Sequence, residues 1–282
     1  VGTGGWLSAG IWVEDSVALF DTVSVDRSDT GIWVQHINQS MSTRPTFWDT
    51  TVTNSMYRGV MVEQSNRSNF NTPLNAIFDN LEVRDSGGLG AKTPGLCYHA
   101  IGVNTSGIDL TNSRAIDNAC NGFKGYMIDS ATIVDNLTIV NSGNPVSSNN
   151  NDRAGLFLRS ANWASQFRNI SVSDSPGDGI HLSKASLQGY GWSSVNNTGH
   201  GMYVDESHPD VTGILVANNG LNGLRVYDSS NVELYDLVSA DNGDLAMIPE
   251  QGVGLSFEKS NDAIAGNKNV SCIRCSSTND AW

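Results

Sequence analysis

Histidine, tyrosine and arginine recur at regular intervals in the second half of the chain, and these residue types can carry out acid–base chemistry. His181, Tyr203 and Arg225 follow one another at 22-residue steps, with Arg159 upstream and Lys184 just after His181. A polysaccharide lyase needs a base for the proton beside a uronate carboxylate, and a cation that neutralises this carboxylate. We expect His181 or Tyr203 to be the base. Arg159, Lys184 and Arg225, or a bound Ca²⁺, would supply the positive charge. The alternative is a solvated face of mixed charge.

A short phrase that recurs about ten times indicates the elements that position these residues. It reads Gly, apolar, any, apolar, any, any, Ser, and first occurs from Gly10 to Ser16. It returns from Gly31, Gly59, Ala100, Gly155, Gly179, Gly201, Gly223 and Gly254, and in shortened form from Gly125. Repetition with this period is typical of a solenoid, in which equivalent residues of successive repeats stack in columns.

A second phrase follows within each repeat, as in the stretch from Phe78 to Ser86. Both phrases alternate with a period of two, which indicates strands rather than helices. We therefore predict an all-β fold, a single-stranded right-handed parallel β-helix (solenoid) of about ten coils, with residues 1–282 forming one domain. Because neither end carries a recognisable cap, we expect a segment of a longer protein or a subunit that stacks end to end.

Asn and Asp form one column where the strands of the second phrase end. Its members are Asn54, Asp85, Asp117, Asn141, Asp174, Asn218 and Asp241. We interpret the column as a ladder of Asx turns. A calcium ladder is the alternative, but it would use a Gly-Gly-x-Gly-x-Asp nonapeptide that is missing from this sequence. The expectation is thus no cofactor, or Ca²⁺.

The third position of the first phrase points outward and carries large side chains. This column reads Trp12, Trp33, Met61, Gly102, Met127, Phe157, His181, Tyr203, Arg225 and Ser256. Aromatic rings stack on sugar faces while carboxylates bind hydroxyls, so the column and its polar neighbours predict a polysaccharide groove. The candidate ligand-binding residues are Trp12, Trp33, Phe157, Tyr203, Tyr227 and Asp205. The alternative is that a loop, a neighbouring subunit or a further part of the chain covers the stripe.

Through the coil phrases from Gly10 to Cys275, the chain resembles right-handed parallel β-helix proteins of the pectate-lyase and polygalacturonase type. The resemblance implies the fold, which carries lyases, hydrolases, tailspikes, adhesins and inert rods. The polygalacturonase motifs Asn-Thr-Asp, Gly-Asp-Asp, Gly-His-Gly and Arg-x-Lys correspond here to Asn104-Thr105-Ser106, Gly177-Asp178-Gly179, Gly199-His200-Gly201 and Arg225-Val226-Tyr227. Two of the three carboxylates and the lysine are missing, and hydrolysis needs a carboxylate pair. We interpret the match as a property of the coil repeat, or as the trace of an inactive relative.

The net charge and the cysteines indicate which partners and which cellular compartment suit this chain. The net charge of −13 argues against nucleic acid and anionic membranes, and it would repel polyanions unless a local basic patch exists. Cys97 and Cys120 lie one coil apart before equivalent strands, within disulfide range, and such a bridge fits an oxidising extracellular setting. Cys272 and Cys275 would bridge each other, or one would pair elsewhere.

These observations together predict an extracellular or cell-surface β-helix that acts in carbohydrate recognition, adhesion, or filament and surface assembly. Its partners would be a polysaccharide or glycan, and further copies joined end to end, with no nucleic acid and no membrane insertion. The alternative is a polysaccharide lyase, or with less support a glycoside hydrolase, whose site lies on the lateral face of coils six to nine.

Overall fold

The computed structural model describes residues 8–37, 44–64, 75–88, 98–128, 132–144, 153–243, 253–258 and 269–280. Within these ranges the strands alternate along the chain between two long sheets. Sheet 1 contains, in spatial order, β1 (Ala9–Glu14), β4 (Thr30–His36), β6 (Arg58–Gln64), β8 (Ile101–Asn104), β10 (Phe123–Tyr126), β12 (Leu156–Arg159), β14 (Ile180–Ser183), β16 (Met202–Asp205), β18 (Leu224–Tyr227) and β20 (Leu255–Glu258). Sheet 2 contains β2 (Leu19–Asp21), β5 (Thr46–Thr53), β7 (Asn75–Arg84), β9 (Gly107–Ile116), β11 (Ile133–Val140), β13 (Gln166–Ser173), β15 (Ser186–Val195), β17 (His208–Ala217), β19 (Glu233–Ala240) and β21 (Ser271–Ile273), with β3 (Ser24–Asp26) beside β5 and β22 (Ser276–Thr278) beside β19.

Each coil contributes one strand to each sheet, and strands of successive coils pair in parallel. The register keeps the columns of the repeat intact, since His181 pairs with Tyr203 and Tyr203 pairs with Arg225. The chain is a right-handed parallel β-helix of about ten coils, which confirms the predicted fold. Adjacent strands lie about 4.8 Å apart, so each column repeats at that spacing along the axis.

The core is a stack of apolar side chains from the inward positions of both sheets. Ile180, Leu182 and Val204, for example, are at most 1% exposed. Equivalent residues lie directly over one another: the rings of Phe20 and Phe47 stack with centroids 4.5 Å apart and planes 5° apart. Full burial of such a ring, as for Phe47, contributes roughly 1.5–3 kcal/mol, and the sum along the column stabilises the solenoid.

The predicted Asx column forms the turn at the end of the sheet 2 strands. Its residues Asn54, Asp85, Asp117, Asn141, Asp174, Asn218 and Asp241 all adopt left-handed backbone angles, with φ between 45° and 58°. Asn and Asp tolerate this region better than other side chains with a Cβ. The next residue in several coils is a buried Asn, and the Asn197 side-chain amide donates to Asn219 Oδ1 at 2.9 Å. These bonds satisfy polar groups that the turn would otherwise bury unpaired.

Close contact between coils explains the first glycine of the phrase. A Cβ on Gly201 would lie 2.6 Å from the carbonyl oxygen of Gly223 and 2.6 Å from the side-chain amide of Asn219. Any larger residue would therefore separate the coils at this corner.

The expected register of coil five is wrong. Phe123 pairs with Ile101 and Lys124 with Gly102, so the phrase of this coil begins at Gly122 rather than Gly125. Lys124, not Met127, therefore takes the outward position. The inward position falls on Gly125, where a Cβ would meet Ile128 Cδ1. Ile128 thus fills the core space that the side chain of residue 125 fills in other coils.

The described cysteines are oxidised. Cys272 and Cys275 bridge each other, which decides between the two pairings left open by the sequence. Cys120 is buried and disulfide-bonded. Its expected partner, Cys97, lies outside the described residues. Over the same part of the chain, no helix has the length and apolar character needed to cross a membrane.

Candidate functional site

A cavity of about 460 Å³ opens beside the sheet 1 strands β14, β16 and β18. The turns that precede β12, β14, β16 and β18 and two outward side chains line it: Arg153, Pro176, Gly177, Asp178, Thr198, Gly199, His200, Tyr203, Leu221 and Arg225. The lining combines one carboxyl, one imidazole, one phenol and two guanidinium groups. This is the residue content of an acid–base site rather than of a purely apolar pocket.

Asp178, His200 and Asn222 form a polar column, each residue one coil after the previous one and directly before a coil glycine, and Asp178 and His200 line the cavity. The backbone N–H of His200 donates to Asp178 Oδ1 at 2.9 Å. The backbone N–H of Asn222 donates to His200 Nδ1 at 3.2 Å. Because Nδ1 accepts this bond, the neutral His200 ring carries its proton on Nε2. His200 therefore offers a donor.

Burial sets the protonation of the two cavity residues in this column. It raises the pKa of Asp178 to about 6, although the N–H of His200 and the charges of Arg225 and Arg153 favour the carboxylate. Burial, assisted by Arg225, lowers the pKa of His200 to about 4. Near neutral pH, Asp178 is thus a carboxylate close to its protonation midpoint, and His200 is neutral.

A continuous stack of rings and cations runs along the outward column of sheet 1. Lys124 Nζ lies 5.8 Å from the centroid of the Phe157 ring. The Phe157 and His181 centroids are 5.2 Å apart, and those of His181 and Tyr203 are 4.7 Å apart. Arg225 Cζ lies 5.3 Å from the Tyr203 centroid. The stack crosses five consecutive coils and holds Tyr203 at the wall of the cavity.

His181 lies inside this stack and is only 3% exposed. Neither of its ring nitrogens has a hydrogen-bond partner within the described residues, and Nδ1 is 3.7 Å from Asp178 Oδ2. Burial lowers the pKa of His181 to about 3. Burial and the Asp205 carboxylate raise the pKa of Tyr203 to about 12, so its phenol keeps its proton. His181 therefore supports the wall, while Tyr203 presents a donor.

Arg225 is held by a bidentate ion pair. Its Nε and Nη2 donate to the two Glu258 oxygens at 3.1 and 2.7 Å. Burial alone would lower the pKa of Arg225, but the Glu258 carboxylate raises it. Burial likewise acts to raise the pKa of Glu258, and the bond from Arg225 holds it below the ordinary value. The pair fixes the guanidinium in the cavity lining, and the Glu258 carboxylate offsets part of the positive charge that the guanidinium presents to a ligand.

The structure brings three of the five predicted catalytic residues together and leaves two apart. His181, Tyr203 and Arg225 belong to the stack. Arg159 instead lies over the Tyr126 ring, with Cζ 5.6 Å from its centroid. Lys184 occupies a surface turn and pairs with Glu206, and it does not line the cavity.

The predicted ligand-binding stripe is not continuously exposed. Phe157 is 1% exposed, which contradicts its assignment as an exposed ring; Lys124 and His181 on the neighbouring strands lie against it. Trp12 is 56% exposed and stacks on Trp33 with centroids 6.0 Å apart. Trp33 Nε1 donates to Glu63 Oε1 at 3.0 Å, which fixes the pair.

The remaining two ligand candidates flank the cavity strands. Tyr227 is half-buried beneath Arg225, whose Cζ lies 5.8 Å from its ring centroid. Asp205 is half-buried, and burial together with Glu206 raises its pKa. Among the residues that the structure describes, no three His, Cys, Asp or Glu side chains form a group that could hold a metal ion.

Sequence reasoning missed three ionisable residues of the cavity: Asp178, His200 and Arg153. Asp178 and His200 belong to the glycine-flanked triplets that we interpreted as a property of the repeat. The 22-residue step between them, followed by Arg225, was the available signal. Arg153 gave no signal, because it precedes its coil phrase in a segment without periodicity.

No family model matches the chain, and no curated protein matches it either. Solved structures do match. The periplasmic alginate epimerase AlgG is 13% identical, with a TM-score of 0.61 over 94% of this chain and 74% of that one. The Dettilon tailspike protein is 13% identical, with a TM-score of 0.50 over 93% of this chain and 53% of that one, so the chain spans about half of the tailspike. At this identity the likeness establishes architecture alone. The chain therefore has the right-handed parallel β-helix fold that these two proteins share.

Proposed function

We propose that this chain acts on an acidic polysaccharide outside the cytoplasm, by moving the proton on carbon 5 of a uronic acid residue in the cavity. One observation carries the proposal. Asp178 and Tyr203 line the same cavity with their pKa values shifted to about 6 and about 12. Near neutral pH Asp178 is thus an ionised carboxylate that can accept a proton, whereas Tyr203 is a protonated phenol that can give its proton only to a strongly basic atom, such as a leaving alkoxide or a carbanion.

The roles follow from these protonation states. Asp178 removes the proton from carbon 5, and the electron pair of the broken C–H bond moves toward the substrate carboxylate. His200 Nε2–H and the guanidinium groups of Arg153 and Arg225 stabilise the negative charge that develops there. Lyase and epimerase chemistry share this step.

The fate of the intermediate separates the two reactions. In β-elimination the bond between carbon 4 and its glycosidic oxygen breaks, a double bond forms between carbons 4 and 5, and Tyr203 protonates the leaving oxygen. In epimerisation Tyr203 returns a proton to the opposite face of carbon 5. The fold shared with an alginate epimerase supports a uronate polymer as the ligand class. The disulfides support a location in an oxidising compartment.

The test is to incubate the protein with polymannuronate and with polygalacturonate in D₂O. Proton NMR would report deuterium at carbon 5, and ultraviolet absorbance would report unsaturated ends. We expect one of these signals, and we expect Asp178→Asn to abolish it. Asp174→Asn, an exposed Asp of the same coil, is the matched control and should retain activity. A signal that persists in Asp178→Asn would refute the proposal. So would the absence of both signals when wild-type protein is incubated with either polymer.

A second candidate is glycan recognition without chemistry, as in an adhesin or surface rod, and the Trp12–Trp33 stack favours it. Two nearly parallel indoles, 20° apart, offer a platform for a sugar face. Retention of a neutral glycan that is lost in Trp12→Ala but kept in Asp178→Asn would support this candidate. End-to-end self-association stays a prediction, which sedimentation velocity at increasing protein concentration would test.

A further inference from the structure

Two cations lie on aromatic rings next to the cavity, on the same outer face of sheet 1. Lys124 of β10 pairs in register with Phe157 of β12, and Tyr126 pairs in register with Arg159. Lys124 Nζ is 5.8 Å from the Phe157 centroid, and Arg159 Cζ is 5.6 Å from the Tyr126 centroid. Each cation thus crosses to the neighbouring strand, and each ring fixes the charge above the sheet.

Arg159 differs in its partners from Arg225 and from Lys184, which lies in the turn after β14. Arg225 is paired with Glu258, and Lys184 with Glu206. Within the described residues, Arg159 makes no ion pair, and its contact is with the neutral Tyr126 ring. A half-buried guanidinium held flat on an aromatic ring keeps its edge donors and its full charge available for a carboxylate.

The position of Arg159 suits a ligand that extends out of the cavity. Strand β12 lies two strands from β16, which carries Tyr203, and three strands from β18, which carries Arg225. At about 4.8 Å per strand, Arg159 is displaced along the axis by about 10 Å from Tyr203 and about 14 Å from Arg225. A polymer that runs along the solenoid axis from the cavity toward β10 passes over it.

We propose that Arg159, supported by Tyr126 and flanked by Lys124, is a second carboxylate-binding subsite that holds an acidic polysaccharide two coils away from Tyr203. This subsite proposal takes the class of polymer, an acidic polysaccharide, from the proposed function, and it does not depend on the proposed reaction. It also supplies the local positive charge that a protein of net charge −13 needs in order to bind a polyanion.

The experiment measures binding rather than turnover. Oligomannuronates and oligogalacturonates of two and of six residues would be titrated calorimetrically into Asp178→Asn protein, with and without Arg159→Gln. We expect Arg159→Gln to weaken binding of at least one hexamer by roughly tenfold and to leave its dimer unchanged, since only the longer chain reaches this subsite. Binding of that hexamer should also depend less steeply on salt concentration in the Arg159→Gln protein.

Two controls separate this subsite from nonspecific charge. Arg168→Gln removes an exposed arginine from sheet 2 and should change nothing. Carboxyl-reduced hexamers, which are neutral, should be insensitive to Arg159→Gln. Equal losses for Arg159→Gln and Arg168→Gln, equal losses for hexamer and dimer, or no binding of either acidic hexamer would overturn the subsite.

The two proposals fail separately. If an acidic hexamer binds through Arg159 but wild-type protein exchanges no carbon 5 proton, then the chemistry is wrong and the subsite stands. If exchange occurs while Arg159→Gln binds both hexamers as tightly as its parent, then the subsite is wrong and the chemistry stands.

Discussion

Replacing Asp178 by Asn should stabilise the protein, and the gain should grow with pH. Burial raises the pKa of this carboxyl from 3.8 to about 6, so the folded protein binds the proton more tightly than the unfolded chain does. Protonation of Asp178 therefore stabilises the folded protein fully when the pH is below the pKa of this residue in the unfolded chain. The stabilisation is lost as the pH rises through its pKa in the folded protein. An Asn side chain resembles the protonated carboxyl at every pH, and its Oδ1 can still accept the N–H of His200.

The magnitude follows from the two pKa values. With 3.8 for the unfolded chain and about 6 for the folded protein, linkage gives a gain of roughly 0.5 kcal/mol at pH 4 and about 3 kcal/mol at pH 7 and above. For a chain of 282 residues, 3 kcal/mol corresponds to an increase of about 5 °C in the melting temperature.

Urea unfolding of both proteins at pH 4, 5.5, 7 and 8, with thermal melts as a second measure, would test this reasoning. The histidines of the site are present in both proteins, so their contributions largely cancel in the difference. A difference in unfolding free energy that stays constant over this range, or that falls as pH rises, would show that Asp178 is not the buried and destabilised carboxylate described above.

Three further perturbations have defined outcomes. Burial lowers the pKa of His181 from 6.5 to about 3, so between pH 7 and pH 4 the unfolded chain takes up a proton at this residue and the folded protein does not. This difference lowers the free energy of unfolding of wild type by about 3 kcal/mol over that range. His181→Phe should remove that loss, as urea unfolding at both pH values would measure. Arg225→Gln leaves Glu258 without its bidentate partner and should cost about 1 kcal/mol; a double-mutant cycle with Glu258→Gln that yields no coupling would contradict the pair. Gly201→Ala forces coils apart and should cost more than about 3 kcal/mol, whereas Gly88→Ala, with no atom within 4 Å of the added Cβ, should change stability by less than about 0.5 kcal/mol in the same assay.

The fold was predictable because each position in the coil requires a class of side chain, apolar or polar, rather than one particular residue. Inward positions such as Leu182 and Val204 must be apolar in every coil, so the pattern survives wide variation elsewhere. It failed in coil five, where Gly122 and Gly125 compete for the same role. The choice between them depends on Ile128 filling the core from three residues away, and a linear pattern does not reveal such a contact.

The site was only partly predictable, for a different physical reason. Alternation with period two identifies which side chains of a strand point outward, and it located Tyr203 and Arg225. It gives no direction for Asp178 and His200, which lie in turns before their strands. Nor does pointing outward mean being exposed, because neighbouring side chains on the outer face can cover a residue, as they cover Phe157.

The parallel register between coils also constrains how such a site can change over generations. His181, Tyr203 and Arg225 occupy one position in three neighbouring coils, so their mutual distances depend on the coil count between them and not on the rest of the rod. Duplication or loss of a coil at either end of the rod would leave the cavity as it is. Duplication of a coil between β14 and β16 would keep every backbone ladder intact while it moved His181 and Asp178 one coil away from Tyr203. The number of coils can therefore change without a change in the geometry of the site. A coil inserted within the site, by contrast, would abolish the site without unfolding the chain.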